Sequence, residues 1–135
     1  MKVFFDNCTS PVLAQTLNGF VNHRGHEAVH LRDRFAQDSA DVEWITALGE
    51  EEETWVVITG DDRIRKNRAE RAAYREAQIR GFVLAPAYHT TKHNVTASVL
   101  VRRWPDIEDM VGRFAPPFLV EMPINHSSKL RFLPL

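Results

Sequence analysis

The stretch Thr54-Trp55-Val56-Val57-Ile58-Thr59 is a continuous apolar run bounded by threonines, and Gly60-Asp61-Asp62 follows it directly. A run of this length that is rich in β-branched residues predicts a strand that is buried on both faces. The glycine then ends the strand, so the two acids come at its carboxyl end. This segment therefore predicts a central strand of a parallel sheet, with acidic side chains at one sheet edge.

Other segments predict strands and helices that alternate along the chain. Further strands are predicted at 2–6, 27–31 and 81–85, and helices at 11–22, 40–49, 61–79 and 95–114. Ser10 and Pro11 open the first helix, because a hydroxyl can cap it and proline suits its first position. Asp38 or Ser39 is the expected cap of the second helix, and Pro105 breaks or restarts the last one. Apolar runs at 118–122 and 130–133 flank a polar turn, which predicts a C-terminal hairpin.

This alternation predicts an α/β fold, because strands that are apolar on both faces need helices on either side of a mostly parallel sheet. The chain has 135 residues, 44% of them hydrophobic and 26% charged, and we expect one domain over residues 1–135. Cys8 is the only cysteine, so an internal disulfide is excluded. The N-terminal apolar run ends at Asp6, too early for a signal peptide or a membrane span, so we expect a cytoplasmic protein.

Three aspartates are expected to meet in one pocket. Asp6 follows the first predicted strand and Asp61 follows the strand at 54–59, so both lie at one sheet edge if these strands are parallel neighbours. Asp41 stands at the head of the apolar stripe of the 40–49 helix, which directs it towards the same edge. Taken singly, each acid also fits a structural role in a helix start, a turn or a strand end. Their coincidence favours a shared site.

Clustered carboxylates repel one another and raise each other's pKa unless a cation lies between them. A hard divalent ion such as Mg²⁺ needs only a few carboxylates, because it keeps several water ligands. Such an ion can activate a water molecule and neutralise charge on a phosphodiester. The pattern therefore predicts that Asp6, Asp41 and Asp61 bind a metal and are catalytic.

A strongly basic segment follows the third acid, although the net charge of the chain is only −1. Its first cations are Arg63, Arg65, Lys66 and Arg68. Their position predicts contacts with the phosphates of a polyanion next to the metal, which the family resemblance given below implies is RNA. Asn67 is placed to orient a phosphate or a carboxylate. The alternative is a helix whose arginines are solvated or pair with acids of a partner chain.

Several segments, taken in order, resemble the PIN-like nucleases of the VapC toxin type. They are Lys2-Val3-Phe4-Phe5-Asp6-Asn7, Ser10-Pro11 opening a helix, Gly25-His26-Glu27-Ala28-Val29-His30, Asp41-Val42-Glu43-Trp44-Ile45-Thr46-Ala47 and Val57-Ile58-Thr59-Gly60-Asp61-Asp62. The resemblance covers roughly residues 1–86, and the ordered set is what makes it specific.

The resemblance implies a PIN-like three-layer α/β/α fold and a metal-dependent endoribonuclease, the toxin of a type II toxin–antitoxin pair. It implies Mg²⁺ or Mn²⁺ as cofactor, an RNA substrate, a homodimer, and a cognate antitoxin that covers or distorts the active site. The metal-binding acids of the family correspond to Asp6, Asp41 and Asp61 of this chain.

The chain departs from the family pattern at one acid. Many relatives have a further glutamate, contributed by an element between the first strand and the helix that begins with the second acid. This chain has no match for it there. Asn7 stands where some relatives carry glutamate, and Asp62 or Glu43 is the expected substitute.

Two alternatives to an active nuclease remain at this point. One is a PIN-like domain that is catalytically weak or inactive and serves as a partner surface. The other is a receiver-like regulatory domain, which would also gather acids around Mg²⁺ at strand ends. A receiver would need a lysine at the end of a late strand, and arginine and proline occupy that region.

Overall fold

The computed structural model describes residues 1–135. The strands are β1 (Lys2–Phe5), β2 (Glu27–His30), β3 (Trp55–Thr59), β4 (Arg80–Leu84), β5 (Phe118–Met122) and β6 (Arg131–Leu133). The α-helices are α1 (Pro11–Val21), α2 (Asp41–Gly49), α3 (Arg68–Glu76), α4 (His93–Arg102) and α5 (Trp104–Arg113). The predicted alternation of strands and helices is confirmed. No helix has both the length and the apolar character that a membrane crossing requires.

The six strands form one sheet in the order β2-β1-β3-β4-β5-β6. The pairs from β2 through β5 are all parallel, and β6 pairs antiparallel with β5 as the predicted hairpin. After β1 the chain therefore adds β2 on one side of β1, and then adds β3 on the opposite side of β1. In sheets of this kind, ligands bind outside the carboxyl ends of the strands where the winding reverses, here between β1 and β3.

The sheet is covered by helices on both faces, which confirms the predicted α/β/α layers. In β1, Val3 and Phe5 pack into one core with α1, α4 and α5, whereas Phe4 packs into the other core with α2 and α3. Side chains alternate in the same way along β3, and every residue of that strand is buried. The continuous apolar run of β3 thus reflects burial on both of its sides.

The first helix begins as the sequence predicts. The Ser10 hydroxyl accepts a hydrogen bond from the amide of Val12 at 3.2 Å, and Pro11 is the first helical residue. After a short 3-10 turn at Asn22–Arg24, Gly25 adopts a φ of 77°, a conformation that glycine allows without steric cost. This turn directs the chain into β2.

Two predicted helix boundaries were wrong. The cap of α2 is Ala40, which has no capping side chain, so neither Asp38 nor Ser39 caps it. The basic segment after Gly60 is not one helix, because a 3-10 turn at Asp62–Arg65 precedes α3. Asp61 caps that turn and Asn67 caps α3, so two successive capping side chains divide the segment. The break expected near Pro105 is confirmed between α4 and α5.

Candidate active site and metal centre

Asp6 and Asp61 lie side by side at the carboxyl ends of β1 and β3. They are only 4% and 8% exposed. Thr59 joins them, because its hydroxyl donates a hydrogen bond to the Asp6 carboxylate and accepts one from the Asp61 amide at 3.0 Å. The Cys8 amide donates a second hydrogen bond to Asp6 at 3.1 Å. The last residue of β3 therefore fixes the relative position of the two strand ends.

Asp41 reaches the same edge from α2, and the core holds it there. The Trp44 ring stacks on Phe4 of β1 with 4.9 Å between ring centroids. Its indole N–H donates a hydrogen bond to the Asp41 carboxylate at 3.1 Å. Trp44 thus connects the sheet to the acid one turn earlier in the helix. This placement agrees with the helical phase that the sequence predicts for Asp41.

The structure adds a fourth acid, Glu70 in the first turn of α3. Carboxylate oxygens of Asp41, Asp61 and Glu70 all lie within 4.8 Å of one another. Asn67 holds Glu70 twice, donating from its amide nitrogen to the carboxylate at 2.9 Å and accepting from the Glu70 amide at 3.0 Å. The acid missing from the family pattern thus has a counterpart that comes from a later element of the chain.

Glu70 is not among the predicted site residues, because the family pattern places the further acid between β1 and α2 and residues 61–79 are predicted as one basic helix. One signal was present. An asparagine followed three residues later by glutamate is the pattern of a helix cap whose glutamate folds back onto the cap residue. That pattern places Asn67 and Glu70 in a first helical turn next to Asp61.

The pKa of Asp6 is raised to about 7. Burial is the main cause, and the charges of Asp41 and Asp61 add to it, while the hydrogen bonds from Thr59 and Cys8 oppose it. Asp6 therefore titrates near neutral pH in the metal-free protein. A cation close to these acids would favour its ionised form.

Glu70 and Asp61 respond differently to the same cluster. Burial first, and then hydrogen-bond contact with Asp41 and the charges of Asp41 and Asp61, raise the pKa of Glu70 to about 7. The pKa of Asp61 is instead lowered, mainly because the Arg63 side chain donates hydrogen bonds to it. In the metal-free cluster, Asp6 and Glu70 therefore hold their protons up to about pH 7, whereas Asp61 is ionised and paired with Arg63.

Two further groups beside the acids are held in their neutral forms. Tyr74 of α3 is 1% exposed, and burial together with all four acids raises its pKa well above the ordinary range. Burial, with Asp6, Asp61 and Asp41, likewise raises the pKa of the Cys8 thiol to about 12. Cys8 is therefore not a thiolate nucleophile at neutral pH. Both shifts reflect one concentrated negative potential.

Arg63 neutralises part of this potential. Its guanidinium donates to both Asp61 oxygens, from Nε at 2.8 Å and from Nη2 at 2.7 Å. The Arg63 side chain itself is 79% exposed, so only its end group is engaged. The guanidinium therefore competes with a metal for the lone pairs of the Asp61 oxygens.

The other predicted RNA-binding cations lie in different surroundings. Lys66 and Arg68 are exposed and form no salt bridge, whereas Arg65 pairs with Glu121 of β5. Among these cations, Arg63, Lys66 and Arg68 are therefore the ones exposed beside the acids. Their contact with RNA stays a prediction.

The auxiliary residues predicted from the sequence lie outside the close carboxylate group. Asp62 begins the 3-10 turn after Asp61, and Glu43 is exposed on α2. Asn7 is exposed, and its side-chain amide donates to the carbonyl of Gln37. Asn67 contacts the group through Glu70. By position Glu70, and neither Asp62 nor Glu43, joins Asp41 and Asp61 in the close group. The roles of Asp62, Glu43 and Asn7 stay predictions.

The close group fits a hard divalent cation. It offers only carboxylate oxygens, the ligands that Mg²⁺ and Mn²⁺ prefer, and it lies at the sheet edge where its open side faces solvent. Asp41, Asp61 and Glu70 would hold such an ion, whereas Asp6, also predicted as a ligand, lies outside this close group. When bound, the ion would supply an activated water and charge neutralisation at a phosphodiester.

Comparison with known families found one match that bears on this site. The family model described as "PIN like domain" matches residues 1–86, which include β1 to β4, Asp6, Asp41, Asp61 and Glu70. Comparisons with curated proteins and with solved structures found no significant match. Domains of the matched family are typically nucleases, that is, hydrolases, and they generally use divalent metals.

Proposed function

This chain belongs to the PIN-like domain family, and on that premise we propose that it is an endoribonuclease that depends on Mg²⁺ or Mn²⁺. The observation that carries the proposal is the approach of three carboxylates, from Asp41, Asp61 and Glu70, to within 4.8 Å. Carboxylates this close repel one another, and this repulsion lowers the stability of the fold. A bound cation removes the repulsion, so the arrangement favours a role in metal binding over a purely structural role.

Each residue has a role in this proposal. The three carboxylates hold the metal, while Asp6 and Thr59 fix the ends of β1 and β3 on which the site is built. Lys66 and Arg68 offer phosphate contacts on the solvent side, and Arg63 exchanges its Asp61 partner for an RNA phosphate. With a metal bound, ionised Asp6 would accept the proton that the activated water loses, directly or through the Thr59 hydroxyl that donates to it.

We further propose that the nuclease is the toxin of a type II toxin–antitoxin pair in the cytoplasm. The ordered resemblance to VapC toxins over residues 1–86 supports this role. A cognate antitoxin would cover the acids or insert a cation among them. A homodimer is part of the same proposal, and half-exposed Val12 on α1 and Val95 on α4 offer apolar surface for it.

A second candidate function is a PIN-like regulatory domain that binds RNA or metal without cleaving. The observation that favours it is the two-point hydrogen bonding between Arg63 and Asp61, which satisfies both oxygens of a metal-site acid within the chain itself. In a domain that had lost catalysis, the Arg63 guanidinium would stay bound to the Asp61 carboxylate at all times.

One cleavage assay separates these functions. Purified protein is incubated with single-stranded RNA and Mn²⁺, beside Asp61→Asn, Glu70→Gln and the surface control Asp109→Asn, whose carboxylate pairs with Arg113 away from the site. We expect cleavage by the wild type and the control, its loss with a chelator, and a fall of at least about 100-fold in the two site variants. Equal cleavage by all four proteins would refute the site. Metal binding with no cleavage by any of them would establish the regulatory function.

The toxin role has its own test. We expect induced expression of the wild-type chain to arrest growth of a bacterial host, and expression of Asp61→Asn at the same level to leave growth unaffected. Arrest by both proteins would contradict a toxicity that depends on RNA cleavage. Light scattering of the purified protein gives its oligomeric state.

A further inference from the structure

A cavity of about 200 Å³ lies beside the acidic site, between the ends of β1, β3 and β4 and the start of α4. Cys8 and Gly60 line it, and they are neighbours in sequence of the site acids Asp6 and Asp61. The cavity is therefore continuous with the edge at which we place cleavage. None of its lining residues is Asp or Glu.

Two histidines without protein partners line the cavity. His89 and His93 both line it, both are exposed, and neither takes part in a hydrogen bond or a salt bridge of its side chain. The charge of His89 also reaches the site, where it adds to the larger effect of Arg63 in lowering the pKa of Asp61. Imidazole nitrogens without a protein partner next to an acid-free wall are suited to an anion.

The start of α4 adds backbone donors. His93 and Asn94 are the first two residues of this ten-residue helix, and its N-cap Lys92 makes no capping hydrogen bond through its side chain. Their amides therefore have no partner within the helix, and the helix dipole adds positive potential at this end. Of these two residues His93 lines the cavity, and Asn94 follows it in the first turn of the helix.

Thr96 provides an independent indication of a ligand. Its side chain lines the cavity one turn into α4, it is only 3% exposed, and its hydroxyl makes no hydrogen bond in the structure. Threonines in helices often bond to a preceding carbonyl, but Thr96 does not. Its hydroxyl is therefore free to bond with a polar group that enters the cavity.

We propose that this cavity binds a phosphate group of the RNA strand, next to the phosphodiester at the acidic site. Thr96, the free amides of α4 and the two imidazoles donate hydrogen bonds to its oxygens. The inference rests on the proposed function in one respect, since the strand concerned is the one that the acids cut. It adds a binding site that fixes the register of the strand relative to the metal.

The experiment follows the two imidazoles and the amides of His93 and Asn94 by nuclear magnetic resonance in metal-free buffer, where no cleavage occurs. The probes are the dinucleotide UpU, with an internal diester, the mononucleotide pU, with a terminal phosphate, and uridine, with neither. We expect UpU or pU to shift all four signals and uridine to leave them unchanged. Whichever of UpU and pU binds more tightly identifies the diester or the terminal phosphate as the source.

Matched variants test the residues. We expect Thr96→Val, which preserves shape, and the double variant His89→Gln/His93→Gln to weaken this binding at least about tenfold. His23→Gln, an exposed histidine in the turn after α1, should bind as the wild type does. Absence of shifts with both phosphate probes, equal shifts with uridine, or unchanged affinity in Thr96→Val would overturn the inference.

The RNA cleavage assay distinguishes a failure of this inference from a failure of the proposed function. RNA cleavage without phosphate binding in the cavity refutes the inference alone. Phosphate binding in a protein that cuts no RNA refutes the nuclease and leaves the cavity as an anion site.

Discussion

At the scale of single residues, the acids at the sheet edge hold their protons differently because their partners differ. Asp6 is enclosed and receives two neutral donors, so burial dominates and its pKa is raised to about 7. Asp61 has the Arg63 guanidinium on both oxygens, so its pKa is lowered. Two aspartates that share the Thr59 hydroxyl thus behave as a neutral acid and as a carboxylate.

The raised pKa of Asp6 predicts that the metal-free protein loses stability as pH increases. The native state keeps the Asp6 proton up to about pH 7, whereas the unfolded chain releases it near 3.8, so the free energy of unfolding falls between these values. At about 1.4 kcal/mol per pKa unit, we expect a decrease on the order of 4 kcal/mol from this residue. Urea denaturation at pH 4 to 8 measures it.

Asp6→Asn is the matched variant for this measurement, because it removes the titration and keeps the shape. Its unfolding free energy should fall less steeply over the same range, with the remaining slope due to Glu70, whose pKa is also raised to about 7. Saturating Mg²⁺ should flatten the wild-type curve, since the ion favours the carboxylates. A wild-type curve without Mg²⁺ that rises from pH 4 to 7 would contradict the assignment.

Glu70→Gln tests the acid that sequence patterns alone did not assign. It removes one of three clustered charges while Asn67 can still hold the side chain, so we expect Mn²⁺ affinity to fall about 10- to 100-fold. Glu76→Gln on the exposed end of the same helix is the control, and its affinity should not change. Isothermal titration calorimetry gives both values. Equal affinity in the two variants would remove Glu70 from the site.

Arg63→Gln should raise metal affinity. The substitution removes the guanidinium from both Asp61 oxygens, while the backbone amide of residue 63 still donates to Oδ1 at 3.0 Å. Because the Arg63 side chain is 79% exposed, we expect only about a two- to fivefold gain. Arg68→Gln removes a neighbouring exposed charge that pairs with no acid, so it should give no gain. A fall in Mn²⁺ affinity in Arg63→Gln would show that the guanidinium supports the site and does not compete with the metal.

At the scale of elements, the close approach of two backbone segments sets the geometry of the site. A Cβ atom on Gly60 would lie 2.8 Å from the carbonyl oxygen of Cys8, so only glycine lets the end of β3 pass the turn after β1. Asp6 and Asp61 lie on either side of this contact. The backbone there cannot yield without moving one of the two acids.

Gly60→Ala should therefore damage both stability and catalysis. We expect a loss of about 1–3 kcal/mol in unfolding free energy from the clash, together with lower RNA cleavage per folded molecule. Gly112→Ala in α5 is the control, because a Cβ there meets nothing within 4 Å and should stabilise the helix by up to about 1 kcal/mol. Equal effects of the two substitutions on stability would contradict this account of Gly60.

The elements also show what the sequence can and cannot predict. The strands at 54–59 and 2–6 are evident because burial on both faces leaves a continuous apolar run, and parallel pairing then brings Asp6 and Asp61 to one edge. Glu70 is not evident, because its place depends on where α3 begins after the 3-10 turn, a tertiary outcome of two successive caps. The pairing of Arg65 with Glu121 of β5, far along the chain, leaves no local pattern.

At the scale of the whole molecule, buried Arg103 connects the helical layer to the C-terminal hairpin. It is 1% exposed, and it donates to the carbonyls of Asn125, at 2.8 Å, and Ser128, and to the Asp106 carboxylate at 3.2 Å. These bonds hold the turn between β5 and β6 against the start of α5. They lie beyond residues 1–86, the part of the chain that the family model matches.

Arg103→Leu should lower the unfolding free energy by about 1–3 kcal/mol, because it removes the hydrogen bonds from a buried guanidinium that fix the turn between β5 and β6. Metal affinity of the folded protein should stay unchanged, since no site residue contacts Arg103. Arg102→Leu, one residue earlier and exposed, should cost much less. Thermal denaturation and Mn²⁺ titration of both variants measure the two effects. A loss of metal affinity in folded Arg103→Leu would show that the hairpin turn supports the site.

The hydrogen bonds of the Thr59 hydroxyl have a consequence for the newly made protein. They form only when β1 and β3 pair in native register, since a shift by one residue would turn Thr59 to the opposite face of the sheet. A partly folded chain on the ribosome therefore has no assembled acid cluster. Under the proposed ribonuclease function, we therefore expect the chain to leave its own messenger intact until folding is complete.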